Sequence, residues 1–155
     1  FYKNGISNVK GFEFAEAAFK YMSPEIKNKV IKIDLSRDIK EQHDFIAHKK
    51  YYLVNCTEVG EHIPCKYEDT FFNNIDQCVG KYLALSWADT WEGWHGMDRQ
   101  SHVNPRSKRY VINKLKDLGF IYNKQLTIRL VRSLENKPNV FDHWAKNIMV
   151  FERKA

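Results

Sequence analysis

A doubly wound α/β fold, with a mostly parallel sheet, helices on both faces and an antiparallel pair at its C-terminal edge, is predicted by three features of the sequence. Short apolar runs of strand character alternate with amphipathic helical stretches, which is the pattern of a parallel sheet covered on both sides. The chain's end breaks that alternation with two neighbouring strand-like runs. At 155 residues, with 43% hydrophobic, 14% aromatic and 28% charged residues, the chain has the composition of one globular domain, spanning residues 1–155.

The elements follow in order. "VKGFEF" is a short strand after the turn "NGISN", and "AEAAFKYMSPEIKN" is a helical start broken before Pro24. "KVIKIDL", "KKYYLVNC" and "KYLALSWA" are strands, with "YEDTFFNNIDQCV" a helix between the last two. "NPRSKRYVINKLKDLG" is a helix, with Asn104 and Pro105 as its N-cap and first-turn proline and Gly119 as its stop. In that helix Tyr110, Val111, Lys114, Leu115 and Leu118 approximate one stripe. "LTIRLVRSL" and "AKNIMVFERK" are two strands joined by the loop "ENKPNVFDHW", the antiparallel edge pair.

Composition also excludes some functions. The apolar runs are too short for a membrane-spanning helix. Much of the formal charge of +6 sits on the helix from Pro105 to Gly119, which reads as a solvated basic face rather than a nucleic-acid patch. Cys56, Cys65 and Cys78 form no Cys-x-x-Cys pair and read as reduced thiols, as in the cytoplasm.

Ligands of doubly wound sheets lie beyond the carboxyl ends of the strands. The polar residues at those ends are Glu13, Asp34, Glu58 and Glu61, together with the loop from Asp89 to Asn104. A strand-end carboxylate such as Glu13 suits a pair of ribose hydroxyls. In the last loop Trp91, Trp94 and His95, with Trp87 just before it, line a substrate pocket or pack the loop onto the sheet. Glu61, His62 and His102 are chemically able to hold a metal, but their spacing does not support one, and no metal site is assigned.

In the order "NVKGFE", "KIDL", "EVGEHIP", "KYLALSWA", "SHVN", "YVINKLKDLGF" and "NIMVFERK", the chain resembles class I S-adenosylmethionine-dependent methyltransferases. The resemblance is to a group with an EVGEHIP turn after the fourth strand, and it covers nearly the whole chain. It implies a Rossmann-like sheet and S-adenosylmethionine as cofactor. Glu13 would hold the cofactor ribose, Asp34 and Leu35 would border the adenine, and Thr57 and Glu58 would lie beside the methionine portion. Glu61 and His62 match the glutamate–histidine pair of the same turn and are the catalytic candidates. Trp87, Trp91, Trp94, His95 and His102 are the candidates for the acceptor side, the acceptor itself being an unknown small molecule. The base, where the acceptor must lose a proton, is one of Glu61, His62, His95 and His102.

The same resemblance implies that the family's first strand and glycine-rich turn are missing, because Phe1 falls inside what should be the following helix. Three explanations are open: an N-terminal part of the same protein, which is preferred, a strand supplied by a partner protein completing the sheet, or a noncatalytic assembly subunit that retains only the fold.

Overall fold

The computed structural model describes residues 5–6, 8–43, 49–89, 101–135 and 146–154. Its strands are β1 (Gly11–Glu13), β2 (Val30–Lys32), β3 (Tyr51–Cys56), β4 (Val79–Leu85), β5 (Phe120–Tyr122) and β6 (Met149–Arg153). The helices are α1 (Pro24–Lys27), α2 (Ile39–Gln42), α3 (Glu68–Cys78), α4 (Lys108–Asp117) and α5 (Lys124–Leu134). β1 and β2 pair in parallel, while the other four strands form a sheet in the order β3-β4-β6-β5. There β3 and β4 are parallel and β6 is antiparallel to both of its neighbours, β4 and β5. β6 is therefore the one reversed strand of the four-stranded sheet. The fold is mixed α/β with a mostly parallel strand direction, as the alternating pattern predicts.

One large core joins β3, β4, β5 and β6 to the helices. Phe71, Phe72 and Ile75 of α3 and Val111 and Leu115 of α4 close on Leu83, Leu85, Phe120, Met149 and Phe151. Each helix contributes side chains at spacings of three or four residues, the condition for burying one stripe. A smaller cluster of Ile33, Ile39 and Cys78 gathers Phe12, Ile31 and Val54 around it, so strands of both sheets share packing. Asn74, buried on α3, anchors the loop after β2: its Nδ2 donates to the carbonyls of Leu35 and Arg37, and its Oδ1 accepts from the Ile39 amide.

Two readings of the sequence need correction. "LTIRLVRSL" is not a strand but most of α5. Asn123 caps that helix, its side chain accepting from the Leu126 amide, and Thr127 turns inward to accept from the Val150 amide. Leu126, Thr127, Leu130, Val131 and Leu134 lie on the less exposed side, which is helical spacing. The antiparallel edge pair exists, but its outer strand is Phe120–Tyr122, immediately after the left-handed Gly119 (φ 84°). The cap of α4 is also displaced: Ser107, not Asn104, accepts from the Tyr110 amide. Most of the joining loop "ENKPNVFDHW" lies outside the described residues.

Among the described residues no helix is long and apolar enough to cross a membrane. All three cysteines are free, as the sequence reading expects.

Candidate functional site

β3 ends at Cys56, and the chain turns through Thr57–Pro64 with a 3₁₀ turn at Gly60–His62. Three sets of bonds fix this turn. Ser86, at the end of β4, donates its amide to the Cys56 carbonyl, accepts from the Glu58 amide at 2.8 Å and donates its hydroxyl to Glu58 Oε1 at 2.7 Å. That reciprocal clasp holds Glu58 at φ 55°, a backbone conformation costly for a residue with a Cβ. The Asn104 amide donates to the Glu61 carbonyl at 2.9 Å, so the segment before α4 is tied to the turn. Trp87 Nε1 donates to the Asn104 carbonyl at 2.8 Å, closing the same connection from beneath.

Gly60 explains itself in this setting. A Cβ there would lie 2.3 Å from Trp87 Cζ3, because the indole packs directly on the glycine. The indole in turn stacks on Phe72, with ring centroids 5.3 Å apart, and meets Phe71 edge-on at 5.6 Å. Trp87 is thus a core residue, 1% exposed, and does not line an acceptor pocket. The packing alternative holds for it because its ring is flanked by α3 and its only polar atom is satisfied internally.

The turn brings together Glu61, His62 and His102, whose ligand-capable atoms all lie within 4.8 Å of one another. Glu61 is fully buried, and among the described residues neither carboxylate oxygen has a partner in hydrogen-bond geometry. Burial is the main reason its carboxyl is pushed up to about 7, and the nearby Glu58 carboxylate adds to the shift, while the amides of Glu61 and Ala88 oppose it. His62 is exposed, and its Nδ1 lies 2.7 Å from the Ser101 carbonyl oxygen. The His62 and His102 rings meet edge-on with centroids 4.9 Å apart.

The remaining candidates sit at the other pair of strands. Glu13 ends β1, its Oε1 accepting from the Ala15 amide at 2.7 Å and its carbonyl from the Ile33 amide. Asp34 follows β2. Its Oδ1 accepts from both the amide and the hydroxyl of Ser36, and its backbone is clamped by the Gln42 side chain. Among the described residues these bonds use one oxygen of each carboxylate, Glu13 Oε1 and Asp34 Oδ1. Asp34 lines a cavity of about 450 Å³ with Phe14, Lys32, Arg37, Glu41 and Gln42. Leu35 is half-buried against both core clusters, and Thr57 is half-buried at the head of the turn. Trp91, Trp94 and His95 lie outside the described residues.

Sequence reasoning passed over Ser86 and gave Asn104 the wrong task. Ser86 carries a signal, as the lone hydroxyl in the apolar run "LALSWA". Asn104 is 3% exposed and donates its side-chain amide to Glu68 at 2.8 Å.

No family model and no curated protein matches the chain. Solved structures do. Magnesium protoporphyrin IX methyltransferase from Synechocystis PCC 6803, with bound SAH, superposes with a TM-score of 0.62 at 15% identity, over 94% of this chain and 64% of its own. An O-methyltransferase from a trans-AT PKS multienzyme of Brevibacillus brevis, in complex with S-adenosyl-L-homocysteine, gives 0.55 at 14% identity, over 93% and 58%. The [4+2]-cyclase SpnF gives 0.55 at 9% identity, over 94% and 66%. The chain has the Rossmann-like fold of class I methyltransferases, and it spans somewhat under two thirds of the length of the first of these. A cyclase among the matches illustrates that this fold alone does not fix the reaction.

Proposed function

We propose that the chain belongs to an S-adenosylmethionine-dependent methyltransferase that acts on a small-molecule acceptor. The observation that carries this reading is the placement of the Glu13 and Asp34 carboxylates at the carboxyl ends of the paired parallel strands β1 and β2. Two such acceptors suit ribose hydroxyls and an exocyclic amine. The likeness to methyltransferases crystallised with SAH supports the choice of cofactor.

The cofactor supplies a methyl group already activated on a sulfonium. Glu13 would hold its ribose and Asp34 its adenine, with Leu35, Thr57 and Glu58 along its remaining length. The protein's task is then to align the acceptor and exclude water. Glu61, His62 and His102 form the acceptor end of the site, with Glu61 and His62 the catalytic pair. The free cysteines suit a cytoplasmic setting.

Calorimetric titration of S-adenosylmethionine into the wild-type protein and Glu13→Ala tests this reading. Two hydrogen bonds to a charged carboxylate, at about 1.5 to 3 kcal/mol each, make the expected loss about a hundredfold or more. Undiminished affinity in Glu13→Ala would remove the ribose assignment.

A second reading, a noncatalytic assembly subunit on the same fold, is favoured by one observation. Among the described residues β3 pairs only with β4, and its residues Tyr52 and Leu53 are 68% and 44% exposed, which leaves its outer edge open to a partner's strand. That reading expects no cofactor binding in the wild-type protein.

A further inference from the structure

We infer that Glu61, His62 and His102 form a binding site for a divalent first-row transition cation. The fold gathers these residues from two segments forty positions apart in the chain, onto ligand atoms within 4.8 Å of one another. Two independent features of the cluster favour a cation there.

Glu61 is the first. Its carboxylate is wholly buried and, among the described residues, neither oxygen has a partner in hydrogen-bond geometry, an arrangement that buried polar groups avoid unless an ion or a water completes them. Protonation is the alternative to a cation: it removes the charge and lets Glu61 donate to the Glu58 carboxylate beside it. Glu58, a second carboxylate close enough to raise its pKa, makes the position still more welcoming to positive charge.

His62 is the second. The Ser101 carbonyl can only accept, so His62 Nδ1 donates to it, and in the neutral ring Nε2 is the nitrogen with the lone pair. A histidine whose other nitrogen donates to a backbone carbonyl is the usual form of a metal ligand, since that bond fixes both tautomer and ring orientation. The Asn104 amide, bonded to the Glu61 carbonyl, holds His102 beside the pair.

Ligands about 2.1 Å from a common ion and at right angles lie about 3 Å apart, so closing the site needs inward movements of about 1 to 2 Å. His62 is exposed and His102 half-buried, whereas Glu61 is buried, so the approach falls to the two histidines. Two imidazoles and one carboxylate favour Mn²⁺, Fe²⁺, Co²⁺ or Zn²⁺ over Mg²⁺ and Ca²⁺, which prefer an all-oxygen shell. Three protein ligands leave open positions for water or for an oxygen of the acceptor. There the cation would act as a Lewis acid and ease removal of the acceptor's proton. That role rests on the methyltransferase reading; the cation site does not.

The test is a Co²⁺ titration of the protein without S-adenosylmethionine, followed through the visible d–d absorption of the bound ion. Wild-type protein and His43→Ala, an exposed-histidine control, are expected to show one saturable site of equal affinity, undisplaced by equimolar Mg²⁺. Glu61→Gln and His102→Ala are expected to lose about a hundredfold or more, since even outer-shell changes cost ten- to a hundredfold. Affinity within twofold of wild type in both variants would overturn the site, and displacement by equimolar Mg²⁺ would overturn the cation class. Should either variant fold poorly, spin-echo modulation of the Mn²⁺-loaded wild-type protein decides instead: coordinated imidazole nitrogens support the site, and their absence refutes it. Co²⁺ binding with no S-adenosylmethionine binding would separate failure of the enzyme reading from failure of this one.

Discussion

Replacing Gly60 by alanine probes the packing beneath the candidate site. The added Cβ would stand 2.3, 2.4 and 2.6 Å from three carbons of the Trp87 six-membered ring. Carbon contacts settle at about 3.5 to 4.0 Å, so the indole must retreat by about 1.2 Å or more. It has nowhere to go without loss, because Phe72 stacks on it, Phe71 abuts it and its Nε1 is bonded to Asn104. Overpacking of this kind costs about 1 to 3 kcal/mol, and stretching a buried hydrogen bond adds about 1 to 3 kcal/mol. A total of about 2 to 6 kcal/mol lowers the melting temperature by about 4 to 24 °C in a chain of this size. Urea denaturation of wild type, Gly60→Ala, Trp87→Leu and the double variant measures it as a cycle. The smaller leucine leaves room for the methyl, so the Gly60→Ala penalty should shrink by about 2 kcal/mol or more in that background. A penalty below about 0.5 kcal/mol in the wild-type background, or strict additivity in the cycle, would refute the contact.

Two further outcomes follow from groups away from that contact. Burial alone would raise the pKa of Glu68, but donation from Tyr110, Arg106 and Asn104 outweighs it and holds the carboxyl below its ordinary 4.5. A carboxylate depressed on folding stabilises above its unfolded pKa and loses that contribution as pH falls through the folded one. Glu68→Gln should therefore be less stable than wild type at pH 7, with the gap closing below about pH 4.5 in acid unfolding monitored by circular dichroism; a gap constant across that range would contradict the assignment. Burial pushes the Cys56 and Cys78 thiols up to about 12 and about 11, whereas Cys65 is exposed with Sγ 3.0 Å from an Arg106 nitrogen. Ellman's reagent should modify Cys65 rapidly in native protein and the other two only after unfolding; equal rates for all three would refute the burial.

The strands β1 to β4 and the helix α3 are legible because their apolar runs are bounded by turn residues and their period is unambiguous. α5 is not, since Leu126, Ile128 and Leu130 alternate like a strand while Leu126, Leu130 and Leu134 repeat like a helix. The Asn123 cap and the inward Thr127 hydroxyl decide between them, and both depend on where β6 lies. The start of α4 was ambiguous for a related reason: Asn104 and Ser107 are both able caps, and the Glu68 carboxylate takes Asn104 away. Strand-end carboxylates such as Glu13 and Asp34 could be placed from the element order alone. The approach of His102 to Glu61 could not, because it is created by a backbone bond between segments far apart in sequence.

That bond belongs to a longer connection. Glu68, at the head of α3, accepts from Asn104 Nδ2 and Arg106 Nε; the Asn104 carbonyl accepts from Trp87; and the Asn104 amide donates to Glu61. Asn104 thus spends its side chain on α3 and its backbone on the core indole and the site turn. Cutting the first of these bonds loosens the other two, so Glu68→Gln should disturb the Glu61–His62–His102 cluster although Glu68 belongs to no part of it. A change confined to stability, with the environment of the His102 ring unaltered in its NMR shifts, would mean that the backbone bonds alone hold the two segments together.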